Sequence, residues 1–185
     1  MGLDRALFSI RDAKFQGNND SAEPDCSFKP VPPRHYDTDW PTLIIECGAL
    51  ESMRGLRDDA EWWLSNSAQE VKMVILIKVY GVSKNIELEE WQWGTPSRPT
   101  TRNTDATIPG PIRTQNVTIV CPTGQKPVAD KPFTISFEKL FLRHPHNDEE
   151  EDTGFSEEED ITFSIADLEE DFAEQCWNCI RKKST

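Results

Sequence analysis

Two carboxylates stand in places where an acid needs a reason. Asp25 follows proline in Glu23-Pro-Asp-Cys-Ser-Phe-Lys-Pro30, and Glu46 ends the apolar run Leu43-Ile-Ile-Glu. An acid on an apolar strand is costly when buried without a partner. Two such acids on neighbouring strands offset that cost if a hard cation sits between them. Mg²⁺ (or Mn²⁺) favours one or two carboxylates together with waters and phosphate oxygens, which suits phosphodiester hydrolysis. By strand alternation Asp25, Ser27 and Lys29 share a strand face, and so do Glu46 and Gly48. Lys29 is then the group that could orient or activate water, and the Cys47 carbonyl could complete the cation's shell. The plainer alternative is structural: Glu46 pairs with Arg54 or Arg57, and Asp25 is a turn residue.

Other chemistry-bearing residues point less far. Cys176-Trp-Asn-Cys179 has no second ligand pair for zinc and ends a helix rather than opening one, so it reads as two small apolar residues. His144-Pro-His146 reads as solvated loop. Trp62, Trp63, Trp91 and Trp93 could stack bases, but aromatics at core spacing more often pack. Arg98, Arg102 and Arg113 form a candidate phosphate-contact segment.

The elements that must position these residues follow from periodicity. Residues Ala6–Arg11 suggest a short strand, Gln16–Ala22 a turn and Pro24–Pro30 an extended piece. Trp40–Gly48 is a buried strand. Arg54–Ser67 predicts a helix with Leu56, Ala60, Trp63 and Leu64 on one stripe. Val71–Tyr80 is apolar on both alternating faces, which predicts a central strand covered on both sides. Ile86–Trp93 predicts an antiparallel neighbour, Gly94–Arg113 a long loop, and Val117–Cys121 and Phe133–Leu142 two short strands. Ser164, with Asp167 three residues on, predicts a capped final helix with a stripe of Ile165, Leu168, Phe172, Cys176 and Cys179. The fold class is α/β (α+β). Residues 1–143 would be the core, 144–163 an acidic linker, and 164–185 a C-terminal helix packing on the core.

Charge must be read along the chain. The 185 residues carry 33 acids against 20 bases, a formal net of −13. That sum alone argues against nucleic acid. Yet Asp148–Glu174 holds 14 acids and no base, while residues 1–147 are near neutral at −2. The acidic segment 148–160 is a candidate surface for a protein partner. No apolar run approaches a membrane span, and no signal-peptide run opens the chain. Five scattered cysteines suit a reducing compartment, so an intracellular protein, cytoplasmic or nuclear, is expected.

At Pro24-Asp25 and Glu46-Cys47-Gly48 the sequence resembles the PD-(D/E)XK nuclease superfamily, and within it a group of fungal hypothetical proteins. The wider match comprises Trp40-Pro-Thr-Leu-Ile-Ile-Glu-Cys-Gly-Ala-Leu-Glu-Ser, Leu56-Arg-Asp-Asp-Ala-Glu-Trp-Trp-Leu, the Val71–Val79 strand, Phe137–Arg143 and Asp160-Ile-Thr-Phe-Ser. It covers about residues 20–175. The resemblance implies a restriction-endonuclease-like central mixed sheet flanked by helices. It also implies Mg²⁺-dependent DNA hydrolysis with Asp25 and Glu46 on the metal. Gly48 occupies the motif's lysine position, so Lys29 or Arg57 would have to substitute. The superfamily's usual N-terminal helix has no counterpart, as in an N-terminally truncated domain. A degenerate, non-catalytic interaction module on the same scaffold is the competing expectation.

Overall fold

The computed structural model describes residues 6–10, 13–96, 108–121, 125–146 and 158–176. In chain order the elements are β1 (Leu7–Ile10), β2 (Phe15–Gln16), β3 (Ser21–Ala22), β4 (Cys26–Pro30), β5 (Leu43–Gly48), α1 (Met53–Asn66), β6 (Met73–Tyr80), β7 (Asn85–Gly94), β8 (Gly110–Val120), β9 (Val128–Ala129), β10 (Phe133–Ile135), α2 (Phe137–Phe141) and β11 (Ile161–Phe163). A last helix spans residues 165–176, and its middle, Asp167–Phe172, is π-helical.

The fold is mixed α/β, built on a seven-stranded mixed sheet of order β1-β4-β5-β6-β7-β8-β9. β5 and β6 run parallel, and the other neighbours in this sheet run antiparallel. A parallel pair needs a crossover, and α1 supplies it. The helix starts at Ser52, whose Oγ accepts the Gly55 N–H at 3.1 Å. Its stripe of Leu56, Ala60, Trp63 and Leu64 is buried on Ile44, Val74 and Leu76. The opposite sheet face packs Ile75, Leu88, Val117 and Ile119 against α2 and the last helix. β6, fourth of the seven strands, is therefore covered on both faces, as its unbroken apolar run demands.

Three segments differ from the sequence expectation. β8 begins at Gly110 instead of Val117, because a bulge at its own Thr114, opposite Glu90 and Trp91 of β7, absorbs a polar stretch that lacks a clean period. Phe133–Leu142 is a strand only as far as Ile135. Ser136 then caps α2, and Phe137, Leu140 and Phe141 turn inward at helical spacing. At the end of the expected linker, Ile161–Phe163 pairs with β10, and Asp160 Oδ1 accepts the Phe137 N–H at 2.8 Å. Ser164 and Asp167 exchange hydrogen bonds at the start of the last helix. Its Leu168 and Ala173 are buried while Ile165 stays exposed. Among the described residues no helix is long and apolar enough to cross a membrane.

Candidate functional site

β4 and β5 meet antiparallel, and their ladder ends at Cys26 opposite Ile45. One residue further, the Asp25 side chain continues the pairing: its Oδ2 accepts the Cys47 N–H at 2.8 Å. A backbone donor past the end of the ladder would otherwise lack a partner. In return the Asp25 N–H points at Glu46 Oε2, 3.4 Å away. The two acids expected to act together thus stand at adjoining strand ends, linked through the Asp25 and Cys47 N–H groups. Cys47, whose carbonyl was expected on a cation, contributes its N–H to this link.

Asp25 is exposed, whereas Glu46 is only 9% exposed. Glu46 faces α1 because Ile44, Glu46 and Gly48 share that side of β5, and Trp63 Nε1 donates to its Oε1 at 2.7 Å. Burial pushes the Glu46 carboxyl up to about 7. The Trp63 and Asp25 N–H groups oppose that rise, and the charges of Asp25 and Asp59 add to it. Asp59 is likewise raised by burial and by Glu51, Asp58 and Asp25. Glu46 opens onto a cleft of about 380 Å³ walled by Glu23, Asp58, Asp59, Trp62 and Trp63. Every ionisable group on that wall is an acid. Among the described residues, no three His, Cys, Asp or Glu side chains are grouped closely enough to hold a metal ion between them. The donor set is two carboxylates, within what Mg²⁺ accepts when waters and phosphate oxygens fill the remaining positions.

Lys29 is not brought to this pair. It lies four residues along β4 from Asp25, about 13 Å at the usual strand rise. Its ammonium is buried and donates to the Tyr36 carbonyl. Arg57 is also committed elsewhere, to Glu89 on β7. Position 48 is crowded, since a Cβ there would lie 3.1 Å from Leu56 Cδ1 and 3.3 Å from Glu51 Cβ. The cross-strand neighbour of Gly48 is Lys78 on β6, on the same sheet face. Lys78 is 5% exposed and donates to the Ala49 carbonyl at 2.7 Å. Sequence reading passed over it as part of a core strand, and only the parallel register reveals it.

The remaining candidates have structural partners. Trp62 and Trp63 join Phe15 and Trp40 in one aromatic cluster, with Trp62 and Trp63 edge to face at 4.8 Å. Glu158 binds Arg143 and His146, and His144 lies 3.5 Å from Glu138. Arg113 reaches Glu89. Arg98, Arg102, Cys179 and most of the acidic segment 148–160 lie outside the described residues. Compared with models of protein families and with curated proteins, the sequence matches none.

Proposed function

We propose that this chain is a restriction-endonuclease-like, metal-dependent phosphodiesterase acting on DNA. Asp25 and Glu46 would hold Mg²⁺ or Mn²⁺, and the site of action would be intracellular. The observation that carries this reading is that β4 and β5 bring Asp25 and Glu46 to adjoining strand ends, with the Asp25 N–H 3.4 Å from Glu46 Oε2 and the Asp25 carboxylate on the Cys47 N–H, at the same residues where the sequence resembles the PD-(D/E)XK superfamily. Bound there, the cation would polarise a phosphoryl oxygen and lower the pKa of a coordinated water. The chain's own part is to present one exposed and one buried carboxylate, held by the Cys47 N–H and the Trp63 indole. Lys78, beside the lysine-less position 48, is better placed than Lys29 to supply a cation on this face. The test is cleavage of plasmid and of short duplex with Mg²⁺ or Mn²⁺. Wild type is expected to cut, and Asp25→Ala and Glu46→Ala to lose roughly 100-fold or more, as for loss of a metal-centred catalytic term. A wild-type chain inert at every metal concentration rejects the catalytic form.

The crowding at Gly48 and the engagement of Lys29 by Tyr36 favour a second reading, a non-catalytic interaction module on the same scaffold, with a protein partner on the acidic segment. The two readings separate thermally. A cation that binds only the native state must raise the melting temperature, so a melting temperature unmoved by Mg²⁺ and Mn²⁺ supports the module.

A further inference from the structure

Glu89 lies in the middle of β7, facing α1, and its side chain is 0% exposed. Four hydrogen bonds satisfy it. Arg57 donates through Nε to Oε2 at 3.0 Å and through Nη2 to Oε1 at 2.6 Å. Arg113 Nη1 donates to Oε1 at 2.5 Å and Trp91 Nε1 to Oε2 at 2.9 Å. One carboxylate between two guanidiniums leaves a surplus positive charge. The geometry sorts it outward: the anion is sealed, while the Arg57 and Arg113 side chains remain 38% and 45% exposed. Among the described residues, Arg57 Nη1 and Arg113 Nε and Nη2 have no protein acceptor. Beside them Glu87 accepts hydrogen bonds from Tyr80 and Asn116 and its charge acts on Arg57, while its cross-strand partner Lys78 donates to the Ala49 carbonyl.

The placement of Arg113 depends on a bulge. Simple alternation on β8 would align Arg113 with Val117 and Ile119, which face the opposite core. The register shift instead sets Gln115 against Glu90 and Arg113 against Trp91. Thr114 is the extra residue, and both Thr114 and Gln115 bind Glu90 on the far face. Arg113 thereby arrives on the α1 face beside Glu89, the kind of re-aiming a bulge performs. Guanidiniums fixed by a buried carboxylate present planar donor forks that fit phosphate oxygens and lose little freedom on binding. Trp91 and Trp93, half-buried on the same strand, offer flat surfaces for bases. Glu46, Leu76 and Glu89 stand in one row across β5, β6 and β7. At the usual strand spacing the Glu46 and Glu89 backbones are about 10 Å apart, with α1 packed over Leu76 between them.

We propose that Arg57 and Arg113, set by Glu89, clamp a phosphodiester oxyanion of a nucleic-acid strand. The clamp rests on the nucleic-acid reading above for the source of the phosphate, but not on catalysis. It is tested by fluorescence anisotropy with a labelled oligonucleotide, single-stranded and as duplex, in EDTA across a KCl series. Arg113→Gln and Arg57→Gln are each expected to weaken binding several-fold and to reduce the salt slope by about 0.7–0.9. Arg113→Lys keeps the slope but loses affinity, because charge survives and the fork does not. Lys131→Gln, an equal loss of charge at an exposed turn, leaves both unchanged. Near-UV circular dichroism establishes folding; should Arg113→Gln fail to fold, the comparison of Arg113→Lys with Lys131→Gln decides. Oligonucleotide binding indifferent to both arginines, or absent while inorganic phosphate binds, overturns the proposal. Since binding is read without a divalent cation, failure to cleave under Mg²⁺ sinks hydrolysis and leaves the clamp standing.

Discussion

Two buried glutamates on one face of the sheet respond to burial in opposite directions, and the difference lies in their partners. Burial raises both. Around Glu89, hydrogen bonds from Arg57, Trp91 and Arg113 outweigh it and bring the carboxyl down to about 2. Around Glu46, one indole and one distant backbone N–H do not, and the carboxyl stands at about 7. The folded state therefore holds the Glu46 proton more tightly than the unfolded chain does. Its stabilising contribution is full below about pH 4.5 and is lost as pH rises through about 7. Glu89 behaves conversely: its contribution is present above about pH 4.5 and is lost only as pH falls towards 2. Replacing Glu46 by Gln keeps an acceptor for the Trp63 indole and removes the ionisation. Between about pH 5 and pH 8, wild type should lose on the order of 2 kcal/mol more stability than Glu46→Gln. Urea denaturation at the two pH values measures this, and identical pH dependence in the two proteins would refute it.

At the scale of elements, what could be read from the sequence was what is local. Leu56, Ala60, Trp63 and Leu64 advertise α1 because their period is set within one helix, and the run Met73–Ile77 advertises a central strand because both faces must be covered. That Asp25 and Glu46 stand at adjoining strand ends was readable for the same reason, as consecutive strands usually neighbour one another. Lys78 beside Gly48, and Arg113 beside Glu89, were not. The first depends on a parallel register made after a crossover, the second on a bulge that reverses the face of a residue. α2 was hidden because five residues are too few to separate helical from strand period. Packing between elements also decides whether a lysine can stand at position 48. A side chain at position 48 must displace Leu56, which anchors α1 on β5, so Gly48→Lys is expected to destabilise by about 1–3 kcal/mol, as overpacking does, without increasing any cleavage. Combining it with Leu56→Ala should cost less than the sum of the two separate losses, since each change relieves the other. A Gly48→Lys denaturation midpoint equal to that of wild type would mean that α1 yields freely and that position 48 is not closed.

For the whole molecule, the acidic C-terminal region is where charge and architecture diverge. Asp148–Glu174 dominates the net charge, yet its described part is built into the body. Glu158 grips Arg143, Asp160 caps α2, β11 extends β10, and Leu168 and Ala173 enter the same apolar cluster as Ile75, Leu88 and Phe137. Thr42 at the head of β5 joins this arrangement, its Oγ1 donating to the Leu140 carbonyl at 2.8 Å. Glu169 of the last helix accepts the Ala129 N–H of β9 at 2.8 Å, while the helix's apolar stripe closes the sheet face opposite α1. If that cluster is one cooperative core, a change in the last helix must be felt by the central strands. Leu168→Ala should then cost about 3 kcal/mol, the scale of a buried leucine truncation, and should lower the single unfolding transition reported by tryptophan fluorescence. The reporters become decisive once Trp177 is replaced by Phe in both proteins: Trp40, Trp62, Trp63, Trp91 and Trp93 belong to the cluster on the far side of the sheet from Leu168, so they register its loss only through the sheet. A midpoint unchanged for the tryptophans while far-ultraviolet signal is lost earlier would separate the C-terminal region from the core and contradict the single-core reading.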